Sequence, residues 1–99
     1  MAGQDNRVII VTGASRGLGR MIALRFGAAG ARIAVNYLAR QNDALAVADS
    51  ITNQGGEALP LQADVRRETM VDAMIDAVVK RWGTVDVLVN NAGITGDGL

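Results

Sequence analysis

Four short apolar runs alternate with three stretches of helical periodicity, and that alternation leaves few folds open to this chain. Val8–Val11 is a continuous apolar run, as in a strand buried on both faces. Leu18, Met21, Ile22, Phe26 and Ala29 follow at helical spacing, and Gly30 predicts the end of that helix. Ile33, Ala34 and Val35 read as a second strand that finishes near Asn36 and Tyr37. A second helix is predicted over about 42–52, with Leu45, Ala48 and Ile51 inward and Gly55-Gly56 as its stop. Residues 58–63 read as a third strand, which Pro60 assigns to a sheet edge because proline cannot donate to a ladder. Val71, Met74, Ile75, Val78 and Trp82 make the apolar face of a third helix, Asp72, Asp76 and Lys80 its wet face, and Gly83 its end. Val85, Val87, Leu88 and Val89 form a fourth strand.

The pattern βαβαβαβ predicts one α/β domain spanning 1–99, with a parallel sheet wound by right-handed crossovers. The expected strand order is 3-2-1-4, with a switch point between strands 1 and 4. The same handedness places helices 1 and 2 on one face of the sheet and helix 3 on the other.

Between strand 1 and helix 1 lies Thr12-Gly13-Ala14-Ser15-Arg16-Gly17-Leu18-Gly19. Three glycines are weak evidence in a chain that has twelve. Their position carries the inference, because strand, glycine turn and helix set a phosphate against unpaired N–H groups at a helix N-terminus. Gly13 allows the tight exit, Gly17 lets the backbone approach a pyrophosphate, and Gly19 permits close packing. Ser15 and Arg16 add a hydroxyl donor and a cation. Asn90-Asn91-Ala92-Gly93 leaves the adjacent strand 4, so both unusual segments meet at the switch point, where open α/β sheets bind ligands. Paired amides there can bridge strand ends, while Ala92 and Gly93 leave room for a sugar. Asp64-Val65 follows strand 3, where the carboxylate is placed to accept from an adenine amino group or to cap helix 3. The end of strand 2 carries Asn36, Tyr37 and Leu38, without the acid that binds a ribose 2′-hydroxyl in NAD-preferring proteins. Arg16 can instead face a 2′-phosphate, which favours NADP(H) over NAD(H). Arg40 is a second, weaker candidate for that phosphate, beside its prevailing reading as a solvated helix entry.

Composition narrows the chemistry. Ten basic and ten acidic residues cancel, without a charged block suited to nucleic acid or an anionic membrane. The chain has no cysteine and no histidine, which excludes disulfides, thiolate chemistry and the commonest metal ligand. No apolar run approaches the about 20 residues of a membrane span, and no targeting segment is read at the start, so a cytoplasmic location is expected.

TGASRGLG at 12–19, Asp64-Val65 and NNAG at 90–93 together resemble the short-chain dehydrogenase/reductase family in order and spacing, over about residues 7–99. Within the family the chain is most similar to the 3-oxoacyl-acyl-carrier-protein reductases, with acetoacetyl-CoA reductases close by, through TGASRG, Val35-Asn36-Tyr37 and the Ile94-Thr95-x-Asp97-x-Leu99 run. The resemblance implies a Rossmann-like fold and a nicotinamide dinucleotide partner. It implies that Gly13, Ser15, Arg16, Gly17, Leu18 and Gly19 hold its phosphates, that Asp64 and Val65 flank adenine, and that Asn90, Ala92 and Gly93 line the ribose. It also implies hydride transfer from NADPH to a ketone in a homotetrameric parent enzyme.

The catalytic Ser and Tyr-x-x-x-Lys of that family have no counterpart in these residues. Tyr37 has Gln41 four positions on, and Lys80 lies on the wet face of helix 3. The chain is therefore read as the amino-terminal, cofactor-binding portion of a reductase, inactive and marginally stable by itself. Strand 4 is expected to form a bare edge, with the valines of strands 1 and 4 losing part of their cover. A free-standing nucleotide-binding module with a partner chain and a non-functional truncation product are the alternatives. An in-frame Tyr-x-x-x-Lys downstream of Leu99 would separate them.

Overall fold

The computed structural model describes residues 4–91. Seven elements follow in order: β1 (Val8–Val11), α1 (Gly17–Ala28), β2 (Arg32–Tyr37), α2 (Gln41–Asn53), β3 (Glu57–Gln62), α3 (Glu68–Trp82) and β4 (Val87–Val89). The strands form one parallel sheet of order β3-β2-β1-β4, a Rossmann-like arrangement. Pro60 sits on the edge strand β3, opposite Val35.

Alternation along β1 divides the core in two. Ile9 and Val11 face α1 and α2, where they join Ile33, Val35, Val47 and Ile51. Val8 and Ile10 face α3, where they join Ala34, Met74 and Val78. The helices therefore lie on the faces that right-handed crossovers predict. Central β1 is fully enclosed, each of its side chains being at most 1% exposed. The expected loss of cover falls on β4 alone, where Leu88 is 54% exposed. Neighbours on both flanks protect β1, whereas β4 is an edge among the described residues.

The inward face of α1 differs from the apolar periodicity. Leu18 and Met21 are exposed, while Gly19, Ala23 and Gly27 are buried. This stripe of small residues at i, i+4 spacing lets the helix lie close against its neighbours. A Cβ added at Gly27 would come within 2.9 Å of Ile51 Cγ1 on α2. Ile22 and Phe26 reach the core only from the flanks of the stripe. On α2, likewise, Leu45 is exposed, and Ala44 and Val47 join Ala48 and Ile51 inside. On α3, Met74 and Val78 are buried as expected, with Ile75 and Trp82 packed around them.

Candidate functional site

The turn between β1 and α1 opens at the carboxyl ends of β1 and β4, the crevice that the strand order predicts. Two asparagines from opposite sides hold Gly13. Its N–H donates to Asn36 Oδ1 of β2 at 3.2 Å, and its carbonyl accepts from Asn91 Nδ2, beyond β4, at 3.2 Å. The Ala14 N–H donates to the Asn36 carbonyl at 2.8 Å. Thr12 completes the junction, its N–H and hydroxyl both donating to the Val89 carbonyl and its hydroxyl lying 3.4 Å from Asn90 Oδ1. Both Asn36 and Asn91 are 2% exposed. The Asn91 Oδ1 acceptor has no partner among the described residues.

Beyond these anchors, the N–H groups of Ser15, Arg16, Gly17, Leu18 and Gly19 meet no acceptor among the described residues. Arg16 occupies the N-cap of α1 without a capping side-chain bond, and no acidic residue stands in the first turn. The site is thus a row of unpaired donors at the positive end of a helix dipole, which suits an anion. Gly17 has φ +59°, and a Cβ placed there would meet nothing within 4 Å, so the space over the turn is open. A Cβ at Gly19 would instead overlap the Gly13 carbonyl oxygen and lie 2.6 Å from Asn91 Nδ2. The turn, the helix start and the β4 end therefore close on one another at a position only glycine can occupy.

Two concavities flank this row. A groove of about 280 Å³ is lined by Ser15, Arg16, Arg20, Asp43, Val47 and Ser50. Arg20 stands one helical turn after Arg16 and adds a second cation, a contribution that a reading limited to the glycine motif missed. Arg40 is turned to Asp43, Nη1 to Oδ2 at 3.1 Å, with both side chains about half exposed, in keeping with a solvated helix entry. On the α3 face, Thr12, Val65, Met74, Leu88 and Asn90 line a largely apolar cavity of about 230 Å³. Val65 and Asn90, widely separated in sequence, thereby share one wall. Ala92 and Gly93 lie outside the described residues.

Asp64 does not cap α3. The N-cap position is Arg67, without a side-chain cap, and the Asp64 carboxylate accepts from the Arg66 N–H at 3.0 Å and pairs with the Arg66 guanidinium at 2.9 Å. The hydrogen bond from the Arg66 side chain, joined by the one from its backbone, holds the carboxyl down at about 2. A folded value below the unfolded one makes this contribution to stability complete above about pH 4 and lost as the pH falls through 2. In a carboxyl carbon NMR titration, Asp64 is expected to change near pH 2, and Arg66→Ala to move the midpoint toward about 3.9. A wild-type midpoint near 4 would disprove the pairing.

A parallel sheet of this order, with an open glycine turn at its switch point, defines the Rossmann-like class of α/β proteins. Within that class the chain belongs to the short chain dehydrogenase family, whose model matches residues 7–99. It is 49% identical over 94 residues to the 3-oxoacyl-[acyl-carrier-protein] reductase FabG of Staphylococcus epidermidis, covering 95% of this chain and 38% of that protein. The chain thus spans about two fifths of the length of the curated relatives it matches. Among solved structures, a short chain dehydrogenase from Mycobacterium avium superposes with a TM-score of 0.86 at 42% identity, over 98% of this chain and 37% of that one. The landomycin C-6 ketoreductase LanV, with bound NADP and rabelomycin, superposes with a TM-score of 0.82 at 39% identity, over 94% and 41%.

Proposed function

We propose that residues 1–99 are a cofactor-binding Rossmann domain of an NADPH-dependent short-chain reductase, and that the reaction of the whole enzyme reduces a 3-oxoacyl thioester to its 3-hydroxyacyl form. The observation that carries the first part is the row of unpaired N–H groups over 15–19 beside the Arg16 and Arg20 cations. The identity to a 3-oxoacyl-[acyl-carrier-protein] reductase supports the second.

The residues fit a dinucleotide. The N–H groups of 15–19 hold its pyrophosphate, with Gly17 leaving the approach clear. Arg16 pairs with the 2′-phosphate, and β2 ends without a carboxylate to oppose that charge. Asp64 accepts from the adenine amino group with Val65 against the ring, and Asn90 lines the ribose together with Ala92 and Gly93. The nicotinamide supplies the hydride when bound. These 99 residues contribute no Tyr-x-x-x-Lys to protonate a ketone oxygen. They therefore bind without turning over, and reduction of acetoacetyl-CoA by this chain with NADPH would overturn that reading.

Titrating the chain with NADPH and NADH, followed by cofactor fluorescence, tests the choice of cofactor. NADPH is expected to bind more tightly, and equal or tighter NADH binding refutes it. Arg16→Ala is expected to weaken NADPH by about tenfold while leaving NADH nearly unchanged, since one charge-assisted phosphate contact is lost. An equal loss for both would assign Arg16 to the pyrophosphate instead.

A further inference from the structure

We infer that Asn36 is a positioning residue that fixes the spacing between the phosphate turn and the adenine-side loop, an inference that rests on the cofactor reading above. The two segments leave β1 and β3, which are not neighbours in the sheet, because β2 lies between them. Asn36, near the end of β2, is the one described residue whose side chain is hydrogen-bonded to both. Its Oδ1 accepts from the Gly13 N–H at 3.2 Å. Its Nδ2 donates to the Leu61 carbonyl at 3.3 Å and to the Ala63 carbonyl at 3.2 Å, directly before Asp64-Val65.

The chemistry requires an amide. The three residues of β2 before it, Ile33, Ala34 and Val35, are buried and apolar. An apolar residue at 36 would leave the buried Ala63 carbonyl and the part-buried Gly13 N–H and Leu61 carbonyl without this partner. Aspartate would satisfy the Gly13 N–H but turn lone pairs toward both carbonyls. Only a short neutral group with one acceptor and two donors meets all three. At 2% exposure, the side chain makes these bonds out of contact with bulk water. Through these bonds, a shift of the Ala63–Val65 loop moves the turn that holds the phosphates. A ligand that spans both segments therefore gains from their fixed spacing, whereas one confined to the turn does not.

The full chain and its Asn36→Ala variant are titrated with NADPH and with reduced nicotinamide mononucleotide, which lacks the adenosine half. Asn36→Ala is expected to weaken NADPH by about tenfold and the mononucleotide by less than about twofold, as suits the loss of buried hydrogen bonds linking two subsites. Equal losses, or none, would overturn the positioning role, because general destabilisation lowers the folded fraction alike for every ligand. Hydrogen exchange of the wild-type chain gives a second arm that needs no variant to fold. NADPH is expected to slow exchange of the Asn36 side-chain amide, and the mononucleotide to leave it unchanged. An Asn36 amide indifferent to both overturns the inference, whereas a wild-type chain that binds no NADPH overturns the cofactor reading itself.

Discussion

Gly19→Ala is expected to lower the stability of the chain by about 3 kcal/mol, at the upper end of the overpacking range, and to abolish NADPH binding. The added methyl meets backbone on one side and a buried amide on the other. The Gly13 carbonyl oxygen cannot move without breaking its bond from Asn91 Nδ2, and Asn91 cannot move without leaving Gly13. The strain therefore spreads into the turn instead of into a flexible side chain. Urea unfolding with an unchanged slope and a lower midpoint would show it. Gly17→Ala is the instructive contrast. Nothing lies within 4 Å of its Cβ, so its cost of about 1–2 kcal/mol comes from φ +59° alone. A Gly19→Ala chain that unfolds at the wild-type midpoint would mean that the turn and the β4 end do not close as described.

Ile51→Ala is expected to cost about 4 kcal/mol without touching the site. Ile51 is fully buried, and two of the positions packed against it are Gly27 of α1 and Gly56 before β3. Neither has a side chain that could relax into the cavity, which places the loss in the upper part of the range for such truncations. Ile51→Val, which removes one methylene, is expected to cost about 1 kcal/mol. NADPH affinity per folded molecule should be unchanged in both variants, as measured by titration below the unfolding transition. A fall in affinity would mean that the α1–α2 contact transmits to the turn.

The strand order and the position of the crevice were legible because they rest on strong signals. A central parallel strand must be apolar on both faces, and crossover handedness then leaves one arrangement. The facing of α1 was not legible, for a physical reason. Hydrophobic periodicity weighs large side chains, and Leu18 and Met21 outweigh a stripe of glycine and alanine. That stripe is nevertheless the buried face, because close helix approach excludes bulk. Asn36 was missed for a related reason. One amide at a strand end looks like the absence of an acid, and its three partners become apparent only when Gly13, Leu61 and Ala63 are in place. Of the two roles read for Asp64, the cap of α3 gave way to Arg66, whose guanidinium and N–H take both carboxylate oxygens.

The second of the two amides that hold Gly13 arrives late in synthesis. The turn follows β1 directly, yet Asn91 follows Gly13 by 78 residues. At about 5–20 residues per second, a ribosome takes roughly 4–16 s to supply that second clamp. During this interval β1 has β2 on one side and bare hydrogen-bonding groups on the other. The glycine turn is therefore made well before it acquires a fixed shape. A nascent chain stalled before Asn91 would carry the complete glycine motif without the geometry that gives it meaning.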